Sequence, residues 1–138
     1  MKFRVVFDTN ILISATFWQG IPRYLLELAE KGEIELITSS DMIKELSDVL
    51  IKERKFGLTA REVLHIIEDI IDLSYIIEPA IGVKFSRDSD DNKVLECAVS
   101  SNADYIISAD YDLLDIESFI GVKIVTAEKL LNSLRSLS

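Results

Sequence analysis

A chain of 138 residues with 49% apolar and 28% charged residues has the makeup of one folded domain, residues 1–138, and not of a disordered tail. The lone cysteine, Cys97, excludes an intrachain disulfide or a cysteine-built metal site, and the lone histidine, His65, excludes sites built on several histidines. A net charge of −9 argues against a phosphate-binding surface, unless the acids are gathered around bound cations.

The chain opens on Phe3-Arg-Val-Val-Phe-Asp8-Thr9-Asn10, an apolar run ending on a carboxylate. Residues 3–7 predict a strand buried on both faces. Asn10 is a candidate cap for a helix starting at Ile11, and Asp8 can cap the same helix. Gly20 and Pro22 punctuate the chain near Trp18, and a second helix is expected over about 22–31, with Gly32 as its stop. Residues 34–38 read as the next strand, so the beginning is a β-α-β crossover, which implies a parallel, right-handed pair.

Ser39, Ser40 and Asp41 are cap candidates for a helix to about Ile51, whose apolar positions Met42, Ile43, Leu46, Val49 and Leu50 have helical spacing. A basic patch follows at Lys52, Arg54 and Lys55. Thr59-x-x-Glu62 is a capping-box pattern opening another helix, with Val63, Ile66, Ile67, Ile70 and Ile71 on one face and His65 turned to solvent. Residues 74–78 predict a strand and 86–91 a polar loop. A helix is expected over about 92–102, a strand over 104–108, a short helical turn after Asp112, and a last strand over 122–125. Thr126 then caps a terminal helix. Alternating helices and strands predict a three-layer α/β/α sandwich around a mostly parallel sheet. Charges interrupt every apolar run, and the opening Met-Lys-Phe-Arg is a poor secretory signal, so the expectation is a cytoplasmic protein with no membrane segment.

Ligands of open parallel sheets bind beyond the carboxyl ends of the strands. Asp8 stands directly after strand 3–7, and Asp110 two residues after strand 104–108. Glu45 lies little more than a turn into the helix leaving strand 34–38, bordering its apolar stripe. Asp91 precedes Val94, Leu95, Ala98 and Val99, so it heads the core-facing stripe of its helix. Four acids from four segments thus point to one rim, with Asp88 and Asp112 near enough to join them. Each acid has a plain local alternative: Asp8 and Asp91 as caps, Asp110 in a turn, Glu45 as a solvated helix acid. Taken together they predict a site for hard divalent ions, Mg2+ or Mn2+, because the ligands are all oxygen. Such ions suit phosphate substrates, and Arg23, Lys52, Arg54, Lys55 and Arg87 are the candidate contacts to a polyanion.

With these residues in place, the chain resembles PIN-domain ribonucleases, and in particular small stand-alone VapC-like proteins, the toxin components of toxin–antitoxin pairs. The resemblance runs from Val5 to about Leu131. It rests on Asp8 in Phe-Asp-Thr-Asn with Asn10 two residues on, on Ser39 with Glu45-Leu46, on Asp91 in Asp-Ser-Asp-Asp-Asn, and on Asp110 preceded by Ser108. It implies RNA cleavage dependent on one or two Mg2+ or Mn2+ ions held by Asp8, Glu45, Asp91 and Asp110. Asn10, Ser108, Asp88 and Asp112 would be supporting or alternate ligands. It also implies a homodimer and a cognate antitoxin protein. Three readings compete: a PIN-like module that binds RNA or protein without catalysis, a haloacid-dehalogenase-like phosphatase, and a receiver domain. The phosphatase lacks its second acid, since Asn10 stands there. The receiver lacks paired early acids and a lysine after strand 104–108.

Overall fold

The alternation of apolar residues along the first strand sets up two cores. The computed structural model describes residues 2–80, 82–85 and 88–136. In it β1 (Arg4–Phe7) sends Val5 and Phe7 into one hydrophobic cluster and Val6 into another. Successive strand side chains point to opposite faces, so a strand apolar at every position must be covered on both sides. The same division recurs in β2 (Glu35–Ser39), with Leu36 on one side and Ile37 on the other, and in β4 (Tyr105–Ile107), with Ile107 and Ile106.

The helices supply the covers. On the first face lie α1 (Thr9–Phe17), α2 (Ile21–Glu30), α4 (Ala60–Leu73) and α7 (Ala127–Ser136). On the second face lie α5 (Ser89–Ser100), through Val94, Leu95 and Ala98, and α6 (Tyr111–Leu114), through Leu113. Between them α3 (Ser40–Lys52) contributes Leu46 and Leu50 to the first cluster and Met42 to the second. The architecture is the expected α/β/α sandwich.

With β3 (Ser74–Ile77), β5 (Ser118–Phe119) and β6 (Val122–Val125), the sheet has the order β3-β2-β1-β4-β6-β5. All neighbours are parallel except β5, which pairs antiparallel with β6. The chain builds outward from β1 through β2 to β3, then returns to lay β4 on β1's other side. Strand order therefore reverses between β1 and β4, and a crevice opens at their carboxyl ends. The register Phe7↔Ile107 brings the residues that follow each strand, Asp8 and Ser108, to that crevice together.

Several expectations shift by a few residues for local reasons. Asn10 does not cap the first helix. Asp8 does, its Oδ1 accepting the Ile11 N–H at 2.9 Å, and Asn10 sits exposed within the first turn. The carboxylate at the strand's end already reaches the donor that Asn10 would have taken. The helix expected from residue 92 begins at Ser89, and its cap is Asp88, which accepts the Asp90 N–H at 2.9 Å. Asp91 then falls inside the first turn of the helix. Strand β5 was not expected, since two residues are too few to show alternation. It is joined to β6 by Ile120 and Gly121, both at positive φ (48° and 83°), a conformation that tight hairpins need and that an isoleucine does not advertise. Among the described residues no helix is long and apolar enough to cross a membrane.

The expected capping box is present: Glu62 N–H to Thr59 Oγ1 at 3.1 Å, and Thr59 N–H to Glu62 Oε1 at 3.0 Å. Chemical denaturation should therefore rank two substitutions at helix starts. Thr59→Ala is expected to cost about 1 kcal/mol. Asn10→Ala, which removes no cap, is expected to stay within about 0.5 kcal/mol of the parent.

Candidate metal centre

The crevice is built around a hydrogen-bonded corner. Asp8 is buried, and its N–H continues the ladder to the Ile107 carbonyl at 3.1 Å. One carboxylate oxygen, Oδ1, is held by the Ile11 N–H, and the other, Oδ2, accepts the hydroxyl of Ser108. Ser108 is wholly buried, and its oxygen also accepts the Asp110 N–H at 2.9 Å. One hydroxyl thus links Asp8 to the segment carrying Asp110. Asp110 in turn caps α6 by accepting the Asp112 N–H at 2.9 Å. From the opposite side, Asp91 is carried in on the first turn of α5, pulled inward by the buried Val94, Leu95 and Ala98 below it.

The structure brings the four expected acids together. Asp8, Glu45, Asp91 and Asp110 line one cavity of about 170 Å³, with Asn10, Asp88, Thr9 and Asp90. Asp91, Asp110 and Asp112 each place a carboxylate oxygen within 4.8 Å of the others. Asp110 and Asp112 are therefore joint members of the cluster, with Asp112 on its exposed outer edge. Two residues beside Glu45 were not among the sequence candidates. Asp90 faces Glu45, and Lys93 holds Asp90 through Nζ at 3.3 Å. Their signal was the i, i+3 spacing of opposite charges at a helix start.

The basic candidates separate. Lys52 lines a neighbouring groove of about 460 Å³ that shares Glu45, Val49 and Asp90 with the acidic cavity. Arg54 and Lys55 are exposed on a 3-10 turn, Arg54–Phe56, and line neither space; the Lys55 ammonium rests over the Phe56 ring at 5.4 Å. Arg23 donates to the carbonyls of Ala15 and Thr16 at 3.4 and 3.0 Å, so it ties α2 to the end of α1 and does not reach the cavity. Arg87 lies outside the described residues.

A sequence model of the PIN domain matches residues 4–112, the span that carries every acid of this cavity. The chain belongs to the PIN-domain family. An uncharacterized protein of Methanocaldococcus jannaschii is 35% identical to it over 119 residues, 84% of this chain and 76% of that protein. Among solved structures, VapBC2 from Rickettsia felis, crystallised bound to a DNA fragment from its promoter, has a TM-score of 0.63 at 16% identity, covering 88% of this chain and 97% of that one. PAE2754 from Pyrobaculum aerophilum has a TM-score of 0.61 at 16% identity over 99% of each chain. The PIN domain of RRP44 from T. brucei has a TM-score of 0.53 at 10% identity, covering 99% of this chain and 83% of that one. At these identities the likeness to solved structures is one of fold.

The electrostatics of this PIN domain's cavity match a cation's needs. Burial pushes the Asp91 carboxyl up to about 6, helped by repulsion from Asp88, Asp110, Asp112 and Asp8. Burial also raises Asp8; the hydrogen bonds from Ser108 and Ile11 offset part of this, and Asp110 adds to it. Glu45 rises to about 7, first through burial and then through Asp90, with Thr9 and Lys93 offsetting part. Its Oε2 is buried with no hydrogen-bond partner. An orphaned carboxylate oxygen facing a group of crowded acids is satisfied by a positive charge. The donors are all oxygen, which fits Mg2+ or Mn2+.

The sign of the pH effect follows. Because Asp91's folded pKa lies above its ordinary value of 3.8, the stability it contributes is present at low pH and is lost as pH rises through about 6. In chelator, Asp91→Asn should therefore be more stable than the parent at pH 8, by about 2 kcal/mol. The gap should close near pH 4. Saturating Mn2+ should reverse the ranking at pH 8, and denaturant unfolding with and without Mn2+ reads both effects.

Proposed function

We propose that this PIN domain is a metal-dependent endoribonuclease that cleaves single-stranded RNA. The observation that carries the reading is the convergence of Asp8, Glu45, Asp91 and Asp110, from four separate elements, on one cavity at the β1/β4 switch point. Asp8, Asp91 and Asp110 would hold one or two Mg2+ or Mn2+ ions, with Glu45 and Asp112 completing the set. Bound there, the ion lowers the pKa of a water molecule and offsets charge on the phosphoryl oxygens.

The chain's own groups divide the remaining work. Ser108 fixes Oδ2 of Asp8 and the backbone of Asp110 through one hydroxyl, so two ligands on different strands keep one spacing. Glu45 lines the cavity with one carboxylate oxygen free of protein hydrogen bonds, which would let it hold the ion or orient the attacking water. Attack at phosphorus with loss of the 3′ oxygen leaves a 5′-phosphate and a 3′-hydroxyl. We further propose that the protein acts as a homodimer and as the toxin of a pair, with a cognate antitoxin protein covering the crevice. The fold likeness to VapBC2 supports that assignment.

Cleavage of a single-stranded oligoribonucleotide in Mn2+ or Mg2+ tests the reading. Chelation is expected to abolish cleavage. Asp8→Asn should lower the rate at least about 100-fold, and Ser108→Ala, which removes the support of Asp8 and of the Asp110 backbone but no ligand, about 10- to 100-fold. A parent chain that binds RNA but does not cleave it would show a module without catalysis, and undiminished cleavage by Asp8→Asn would overturn the site.

A further inference from the structure

Tyr111 is the most exposed large apolar side chain among the described residues, at 78%. It stands between Asp110 and Asp112, whose carboxylates join that of Asp91 in the acidic cluster. An exposed aromatic is common on a surface. One set between two acids of a candidate phosphodiester-cleaving centre is placed to meet whatever occupies that centre.

The backbone beneath the ring is firmly held. Leu113 is 1% exposed and anchors α6 in the second core. The Asp112 N–H bonds to Asp110, the Leu114 N–H to the Asp110 carbonyl at 2.9 Å, and the Asp115 N–H to the Tyr111 carbonyl at 2.8 Å. The ring is thus presented from a rigid turn whose cap is itself a member of the cluster.

Tyr111 also lines a groove of about 620 Å³ whose walls include none of the residues of the acidic cavity. Its lining mixes charges, two lysines (Lys123 and Lys129) with two acids (Asp115 and Glu117). A strand entering this groove gains little from phosphate contacts, and the chain as a whole carries a charge of −9. What the groove offers at Tyr111, the chain neighbour of Asp110 and Asp112, is an aromatic face. Stacking on a base needs no net positive charge and tolerates any base.

We propose that Tyr111 is a stacking platform for a nucleobase next to the scissile phosphodiester of single-stranded RNA. The inference rests on the nuclease reading above and adds to it a residue that binds substrate without touching the reacting atoms. Duplex RNA keeps its bases stacked on one another and would not engage the ring, so the platform makes the centre selective for single strands.

Steady-state cleavage of a single-stranded oligoribonucleotide in Mn2+ is compared for the parent, Tyr111→Ala, Tyr111→Phe and Tyr111→Trp. Loss of one stacked base should raise KM in the alanine variant about 5- to 100-fold with little change in kcat. The phenylalanine and tryptophan variants should keep a KM near the parent's. Binding of the same oligonucleotide to Asp8→Asn chains, by fluorescence anisotropy, should show the same loss for Tyr111→Ala, with an unaltered salt slope. An alanine variant with the parent's KM and affinity would overturn the inference and leave the nuclease reading intact. So would a phenylalanine variant as weak as alanine, since the hydroxyl would then be the contact. A parent chain that neither binds nor cleaves RNA would overturn the nuclease reading itself. Tyr111 is exposed, so folding is not expected to confuse the comparison.

Discussion

The parallel pairing of β1 with β4, closed by the hydroxyl of Ser108, is the contact on which the rest of the cavity depends. The two strands are about a hundred residues apart in the chain, yet their ends share one hydrogen bond between Ser108 and Asp8. Both partners are buried, so that bond is worth more than its exposed counterpart and more costly to lose. Through the Asp110 N–H the same oxygen sets where the last acid begins. A small hydroxyl residue at position 108 is thus a geometric requirement. A larger or apolar side chain would leave the Asp8 carboxylate buried without one of its two partners.

The cavity concentrates like charge at a stability cost. Asp8, Asp91 and Glu45 are all pushed toward their protonated forms by burial, and neighbouring acids add to each shift. A chain of 138 residues that tolerates this must recover the energy elsewhere, and the two hydrophobic clusters on either side of the sheet do so. The arrangement is understandable if a cation belongs there, since the same groups that repel one another become its ligands. Lys93, paired with Asp90 beside Glu45, is a partial internal substitute on one side only.

Membership of the PIN-domain family sets aside the phosphatase and receiver readings, which shared with it only an acid after the first strand. That acid alone is weak information, because a carboxylate in that position is equally a helix cap, and Asp8 does cap α1. The ordered set was more informative than any member. Asp8 and Asp110 were readable because strand ends are visible as the edge of an apolar run. Asp91 was readable because a helical stripe of small and apolar residues follows it. The boundary errors have one source: caps are chosen by competition among neighbouring side chains. Asp8 won over Asn10, and Asp88 was available three residues before Asp91. Which carboxylate takes which N–H depends on where the core pulls the others.

The sequence by itself determined the layers, the parallel sheet and the short list of acids, because periodicity and punctuation are local properties of a chain. Only the tertiary structure decided how those acids divide. It grouped Asp110 with Asp112 and Asp91, set Glu45 opposite Asp90 and Lys93, and placed Ser108 behind Asp8. It also removed Arg23 from the candidate contacts to a polyanion and left the Tyr111 ring exposed between Asp110 and Asp112 in the chain. These are distances between residues far apart in the chain. They are set by how strands pair and which helix face is buried, and no local pattern of residue types contains them.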